Sequence, residues 1–398
     1  MAAYFFVLVT LTPFRYNTII KTPSIIYREN HMKKNEILKI YGTDYKEMTK
    51  RLLTRANLAS DIADRKTRIG IKPNLVAPTP ADYGATTHPE IVAGIIEYLN
   101  EHGFYDITVL EGTWVGDKTG ESFDVCGYNS LAEKYNVKLF DTQKDSSFRQ
   151  DCRGMSLNIC SNVKKIDFLI NVPVLKGHCQ TRVTCALKNM KGLIPNSEKR
   201  RFHTMGLHKP IAHLNTAIKQ DFIVTDHICG DPSFEEGGNP VVRNCIMASK
   251  DPVLTDAYVC SILNCATDDV PYIRYAAELG VGCGDLSKAE IYTIEGTDSE
   301  KIPFENNVLD VSYAIDEIDS CSACYAMLVP ALIRLKEEGL LDKLKTKIAI
   351  GQGHQGRSGE IGVGRCTAGF SSSIKGCPPS TDDIYEHLKR FIIESARK

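Results

Sequence analysis

From Met32 to about residue 296, short apolar runs alternate with segments whose apolar residues recur at helical spacing, and this alternation constrains the fold more than any other feature. EILKIYG reads as a strand, and TDYKEMTKRLLTRANLASDIA as an amphipathic helix capped by Thr43 or Asp44. TRIGIKPNLV reads as a second strand. In HPEIVAGIIEYLNEHG, Pro89 sits in the first turn and Gly103 stops the helix. DITVLEG, DFLINVPVL, DFIVTDHI and CIMAS are further strands, and DPVLTDAYVCSILN and VPYIRYAAELG are helices. Parallel strands need crossover connections, which helices supply. The order therefore predicts an α/β fold: a largely parallel sheet with helices on both faces.

The alternation ends at the polar, turn-forming stretch GTDSEKIPFENN, so residues 32–296 are expected to form the α/β domain and 297–398 a small C-terminal cysteine-rich module. Residues 4–12, YFFVLVTLT, are apolar but too short to span a bilayer, and they lack the flanks of a secretory signal. The expectation for residues 1–31 is a mis-assigned start or a disordered extension. With a formal net charge of -1, no global field argues for nucleic acid or an anionic membrane as partner. Cys160, Cys185 and Cys260 lie singly in apolar runs, where free cysteine acts as a small hydrophobe. Unpaired thiols suit a reducing compartment, hence a cytoplasmic location.

Four of the 14 cysteines stand apart: Cys321 and Cys324 in DSCSACYA, Cys366 in GVGRCTAG and Cys377 in IKGCPPS. Thiolates in fours hold zinc or an iron–sulfur cluster. The proline after Cys377 favours a 4Fe-4S cluster, and a zinc ribbon would usually bring a second C-x-x-C pair. Zinc and a metal-free module stay open as alternatives. CYAMLVPALIRLKEEG looks helical, which sets Cys321 and Cys324 at a helix N-terminus, where the dipole favours thiolates. GQGHQG (residues 351–356) matches a dinucleotide fingerprint, but no helical stripe or acidic residue follows at the needed distance. It reads instead as a pliable loop near Cys366.

Polar residues gather where the strands of the larger domain end. Lys72 and Asn74 close one strand and Glu111 another, and Lys176 and His178, two apart, point to one face of an extended chain. Open parallel sheets bind ligands at the carboxyl ends of their strands, so Lys72, Lys176 and His178 are expected to line one crevice. TRVTCALKNMKG reads as a helix with Cys185 and Lys188 on one face and Gly192 as its stop. His203, His208 and His213 recur every five residues and cannot share a helix face, which leaves His203 with His208 as a ligand or acid–base pair. GDPSFEEGGNP carries Asp231, Glu235 and Glu236, and reads as a mobile lid or a hard-cation site.

Taken together, IKPNLV, TTHPEIVAGIIEYL, ITVLEG, NVPVLKGH, TCALKNMKG and SKDPVLTDAYVCSIL resemble the family known as the domain of unknown function numbered 362, over about residues 66–296. The ending CSAC, GRCT, GCPP is similar to a cysteine-rich tail found in part of that family. The resemblance implies an α/β domain, cluster binding and no established reaction. Carried over by position, its motif residues are Lys72, Asn74, His88, Lys176, His178, Lys188, Asn189, Asp251 and Asp256, one of the two aspartates being accounted for by helix capping. Of these, Lys72, His88, Lys176, His178 and Lys188 are the candidate catalytic residues. The order of elements also resembles the nickel-pincer lactate racemases, although LEGTW stands where that family has a glycine–histidine turn. Three functions follow as expectations. The first is an iron–sulfur oxidoreductase with a small anionic substrate and a redox partner. The second is a lyase, racemase or epimerase with a structural cluster. The third is a non-catalytic electron carrier.

Overall fold

The computed structural model describes residues 31–297, 311–320 and 322–395. Cys321, most of the GTDSEKIPFENN stretch and residues 1–30 lie outside the described residues, and with them the expectation for the N-terminal segment.

The chain begins β1 (Glu36–Tyr41), α1 (Tyr45–Ala56), β2 (Ile69–Pro73), α2 (Pro89–Glu101), β3 (Ile107–Glu111), α3 (Thr119–Val125), α4 (Tyr128–Tyr135) and β4 (Lys138–Asp141). A hairpin of β5 (Ser147–Cys152) and β6 (Met155–Cys160) precedes β7 (Phe168–Val172). A second hairpin, β8 (Lys176–His178) with β9 (Arg182–Thr184), leads into α5 (Ala186–Asn189), α6 (Asn196–Thr204) and α7 (His208–Leu214). Then come β10 (Phe222–His227), β11 (Cys245–Ser249), α8 (Pro252–Ile262), α9 (Pro271–Glu278) and β12 (Glu290–Glu295). Eight strands make one sheet in the order β12-β1-β11-β10-β7-β2-β3-β4. All run parallel except β11, which is antiparallel to both neighbours.

This is the expected α/β architecture, and its cause is visible strand by strand. β2, β7, β10 and β11 are buried at every position, as strands covered on both faces must be. On one face Ile71, Val109 and Val172 of the sheet share a core with Leu52 of α1 and Ile95 of α2. On the other, Ile37, Leu110, Leu169 and Met247 pack against α7, α8 and α9. Asp44 caps α1 by accepting from the Glu47 amide, and Asn57 ends it in the left-handed conformation, so the helix is shorter than its sequence pattern implies.

TRVTCALKNMKG is not one helix. Its β-branched Val183 and Thr184 pair with Gly177 and Lys176 as β9, and only Ala186–Asn189 is helical. Cys185 sits at the cap with φ -155°, off the helix, so it shares no helical face with Lys188. A 3-10 turn, Met190–Leu193, runs through Gly192, which is therefore not a stop.

The C-terminal stretch is a second, all-parallel sheet: β13 (Ile315–Glu317), α10 (Ser322–Glu337), β14 (Ile348–Ile350), β15 (Ile361–Val363), β16 (Ser372–Ile374) and α11 (Thr381–Ser395), with strand order β13-β14-β15-β16. α10 continues through Pro330. Leu328, Leu332, Ile348, Val363, Ile384 and Leu388 form its core, and Cys179 and Phe234 of the large domain pack into it. The Gln180 amide donates to the Ser320 carbonyl at 2.9 Å, so the module docks directly on the β8–β9 hairpin. Among the described residues, no helix is long and apolar enough to cross a membrane.

Candidate functional site

The carboxyl ends of β2 and β3 bring Lys72 against Glu111. The Lys72 ammonium donates to Glu111 Oε2 at 2.5 Å and to the Pro73 carbonyl at 2.7 Å. Both side chains are sealed from solvent, at 0% and 4% exposure. Glu111 also accepts from the amides of Leu75 and Gly112, and Asn189 lies 3.4 Å from Lys72. A Cβ on Gly192 would fall 2.0 Å from Glu111 Oε1 and 2.5 Å from Lys72 Cε, so only glycine lets the backbone close this pair. Burial pushes the Lys72 ammonium below its usual range although Glu111 pulls it back. Lys72 is thus committed to a buried ion pair with Glu111, whereas Lys176 and His178 have partners of their own.

Lys176 and His178 do converge, as the two-residue period of β8 requires. Both meet the loop that follows β10: Lys176 donates to the carbonyls of Ala85 and Glu235 at 2.5 and 2.6 Å, and His178 Nε2 lies 3.2 Å from Glu235 Oε1. His178 Nδ1 faces the amides of Gln180 and Thr181 at 3.0 and 3.1 Å. Because Nδ1 accepts from them, the proton of the neutral ring sits on Nε2, toward Glu235. Asp231 spends its carboxylate on its own loop, accepting from the amides of Ser233, Phe234 and Asn239. The three-carboxylate cation site expected of GDPSFEEGGNP is therefore not formed.

Lys188 is the electrostatic centre of this region. Its ammonium donates to Thr184 Oγ1 at 3.0 Å. Burial pushes Lys176 down to about 7, and the Lys188 charge adds to that shift. Burial and then Lys188 depress His178, Lys191 and His208 as well. For His203, burial, Lys191 and Lys188 act together. Lys188 itself falls to about 8 through burial, against the pull of Glu235. Five bases thus feel one lysine, while Glu235, Asp231 and Glu236 offset the loss at Lys176. Among the described residues, the buried Nδ1 atoms of His203 and His208 have no hydrogen-bond partner, and His208 stacks on Tyr272. His213 instead binds the Cys152 carbonyl at 2.8 Å.

A carboxylate far along the chain sets Lys188 in place. Asp256 of α8 accepts from the amides of Ala186 and Leu187 at 2.7 and 3.2 Å, capping the one-turn α5 that carries Lys188 and Asn189. Asp251 caps its own helix through the amides of Val253 and Leu254. Asn74 lies in the loop after β2, its amide bonded to Thr87. Sequence reasoning passed over Lys191 and Lys199. The spacing of Lys188 and Lys191, three apart, was the available signal.

The cysteine module offers a sulfur-lined cradle. Cys324 lies in the first turn of α10, and its sulfur comes within 3.2 Å of where a Cβ on Gly364 would stand. The Gly364 amide donates to Ile374 and that of Arg365 to Gly376, which sets Cys366 and Cys377 on adjacent strand ends around the same glycine. Gln355 of the GQGHQG loop reaches the Cys366 sulfur at 3.5 Å, and no helix opens at Gly356. Thiolates in this setting suit zinc or an iron–sulfur cluster. Two further cysteine-containing groups bring metal-donor atoms within 4.8 Å of one another: His178 with Cys179 and Glu235, and His88 with Asp82 and Cys229.

A family profile described as "Domain of unknown function (DUF362)" matches residues 69–261. The thylakoid-associated protein sll1697 of Synechocystis sp. is 23% identical over 226 residues, covering 54% of this chain and 68% of that protein. The lactate racemase apoprotein of Thermoanaerobacterium thermosaccharolyticum aligns at 13% identity and TM-score 0.35, over 54% of each chain, so this chain spans about half its length. A structural-genomics protein of Thermotoga maritima aligns at 14% identity and TM-score 0.33, over 64% of this chain and 62% of that one. Residues 69–261 of this chain, which hold Lys72, His88, Lys176, His178 and Lys188, are thus the part that matches the DUF362 family.

Proposed function

We propose that the chain is a cytoplasmic iron–sulfur oxidoreductase whose crevice at Lys176, Lys188 and Lys191 holds a small anionic substrate. The observation that carries this reading is the surplus of buried basic groups around Lys188. Desolvating ammonium groups is costly, and proteins rarely keep them buried without a partner anion. A substrate carboxylate or phosphate would supply that partner and return each lysine to its charged form.

The crevice also adjoins the sulfur cradle. His203 meets the backbone of Ser320, Gln180 bonds the same residue, and Cys179 shares a core with Cys324. Cys321, Cys324, Cys366 and Cys377 would hold the cluster, which when bound supplies one-electron transfer. The chain's own residues do the rest. Lys176 and Lys188 bind charge, Glu235 orients His178, and the docked module excludes water from the hairpin. A redox partner would exchange electrons at the more exposed Cys366–Cys377 side.

A second reading, a lyase or epimerase, is favoured by one observation: Lys176 and Lys188 at about 7 and 8 are poised for proton transfer near neutral pH. A simple electron carrier has no use for such groups.

Anaerobic purification followed by iron and sulfide analysis tests the cluster. Brown protein that loses iron when any of the four cysteines is replaced by serine, but not when Cys160 or Cys260 is, supports the proposal. Colourless protein with stoichiometric zinc overturns it.

A further inference from the structure

His88, one of the motif residues, is held by Asp226. It stands at the N-cap of α2, with its amide and its Nδ1 both 2.8 Å from Asp226 Oδ2 at the end of β10. Asp226 is buried, and its other oxygen accepts from the Ile228 amide. Nδ1 therefore carries the proton that Asp226 accepts, which leaves Nε2 as the ring atom available to a metal. Two further donors surround it. Asp82 Oδ1 lies 3.5 Å away and Cys229 Sγ 3.7 Å away.

We propose that Asp82, His88 and Cys229 bind one zinc-like transition-metal ion, with solvent completing its shell, at a site separate from the four-cysteine cradle and independent of the iron–sulfur reading. The distances carry the assignment. Around a tetrahedral zinc ion, bond lengths near 2.0 Å to nitrogen and oxygen and 2.3 Å to sulfur give edges of about 3.3 Å for N···O and about 3.5 Å for N···S. The two distances from Nε2 stand within a few tenths of an ångström of those values, and the Asp82 and Cys229 donor atoms lie within 4.8 Å of each other. The chemistry agrees as well. One imidazole, one thiolate and one carboxylate are borderline donors that suit zinc or cobalt rather than magnesium or calcium. The Asp226–His88 hydrogen bond is the outer support that fixes the tautomer of a metal-ligating histidine.

The frame is rigid where a site needs rigidity. Gly84, with φ +83°, lets its loop close on the segment after β10: a Cβ there would lie 2.7 Å from both the Cys229 carbonyl and the Asp231 amide. The Asp231 amide returns a hydrogen bond to Gly84. The Tyr45 ring packs edge-on against His88 at 5.5 Å. His88 and Cys229 are buried, whereas the Asp82 side chain is 93% exposed. That asymmetry leaves the outer position of the ion open to water, the arrangement of catalytic rather than structural zinc sites.

Titration of anaerobically purified full-length protein with cobalt(II) tests the proposal. The expected result is a near-ultraviolet thiolate-to-cobalt charge-transfer band that zinc(II) abolishes by competition. Cys229→Ser should remove the band. Asp82→Asn, at an exposed position that carries little of the fold, should weaken cobalt binding at least tenfold, and Asp226→Asn about 10–100-fold. A band unchanged in Cys229→Ser would show that cobalt sits elsewhere and would overturn the site. So would rapid alkylation of Cys229 by iodoacetamide that saturating zinc does not slow.

Discussion

Binding of a small dianion should depend steeply on pH, because the groups that attract it lose their protons near neutrality. With Lys176 at about 7 and Lys188 at about 8 in the empty protein, the pair holds roughly 1.4 charges at pH 7 and about 0.1 at pH 9. If sulfate, which does not itself titrate in this range, binds only the charged forms, affinity falls by about 10-fold over that interval when Lys188 alone is coupled. When both lysines are coupled it falls by roughly 500-fold. The same linkage requires proton uptake, about 1.4 protons per sulfate at pH 8 when both contribute. Calorimetry in buffers of different ionisation enthalpy measures that uptake directly. Lys188→Met keeps the aliphatic stem and removes the charge. It should weaken binding at pH 7, and it should shift the remaining pH dependence upward, since Lys176 no longer feels its neighbour. A sulfate affinity equal at pH 7 and pH 9, or identical profiles for Lys188→Met and the unaltered protein, would refute the reasoning.

The remaining predictions concern the frame around the crevice. Lys72→Met should cost about 3–5 kcal/mol by leaving Glu111 charged and alone, and a second change, Glu111→Leu, should recover most of it; urea denaturation of the three variants decides, and no recovery would mean that packing rather than charge governs the pair. Gly192→Ala should destabilise by about 1–3 kcal/mol, because its Cβ must displace Glu111 and Lys72; an unchanged denaturation midpoint would contradict that. Burial raises Asp256 to about 7, so its contribution to stability is present below pH 4 and is lost as pH rises through 7. Asp256→Asn should flatten the decline in stability between pH 4 and 7, a change of up to about 4 kcal/mol; a profile as steep as that of the unaltered protein would dismiss Asp256 as its source.

Local chemistry made much of this chain legible without a structure. Apolar runs such as DFLINV and DFIVTDH dictate strands buried on both faces, and alternation with amphipathic segments dictates a mostly parallel sheet. Asp44 and Pro89 open their helices as capping rules require. The two-residue period of a strand put Lys176 and His178 on one face. Short-range pattern failed where pairing partners override it. Arg182–Thr184 became a strand because β8 lies beside it, and β4, with half-exposed positions, gave no apolar run to read. The site itself was a tertiary decision. Lys72 finds Glu111 39 residues away, Asp256 caps the helix of Lys188 from 70 residues away, and Asp82 and His88, in the connection between β2 and α2, meet Cys229 141 residues beyond His88. Hydrophobic periodicity is a property of neighbouring residues, so the sequence determines it alone. Which charge meets which, and how far water is excluded from the pair, depends on how distant segments pack, and only the folded chain settles that.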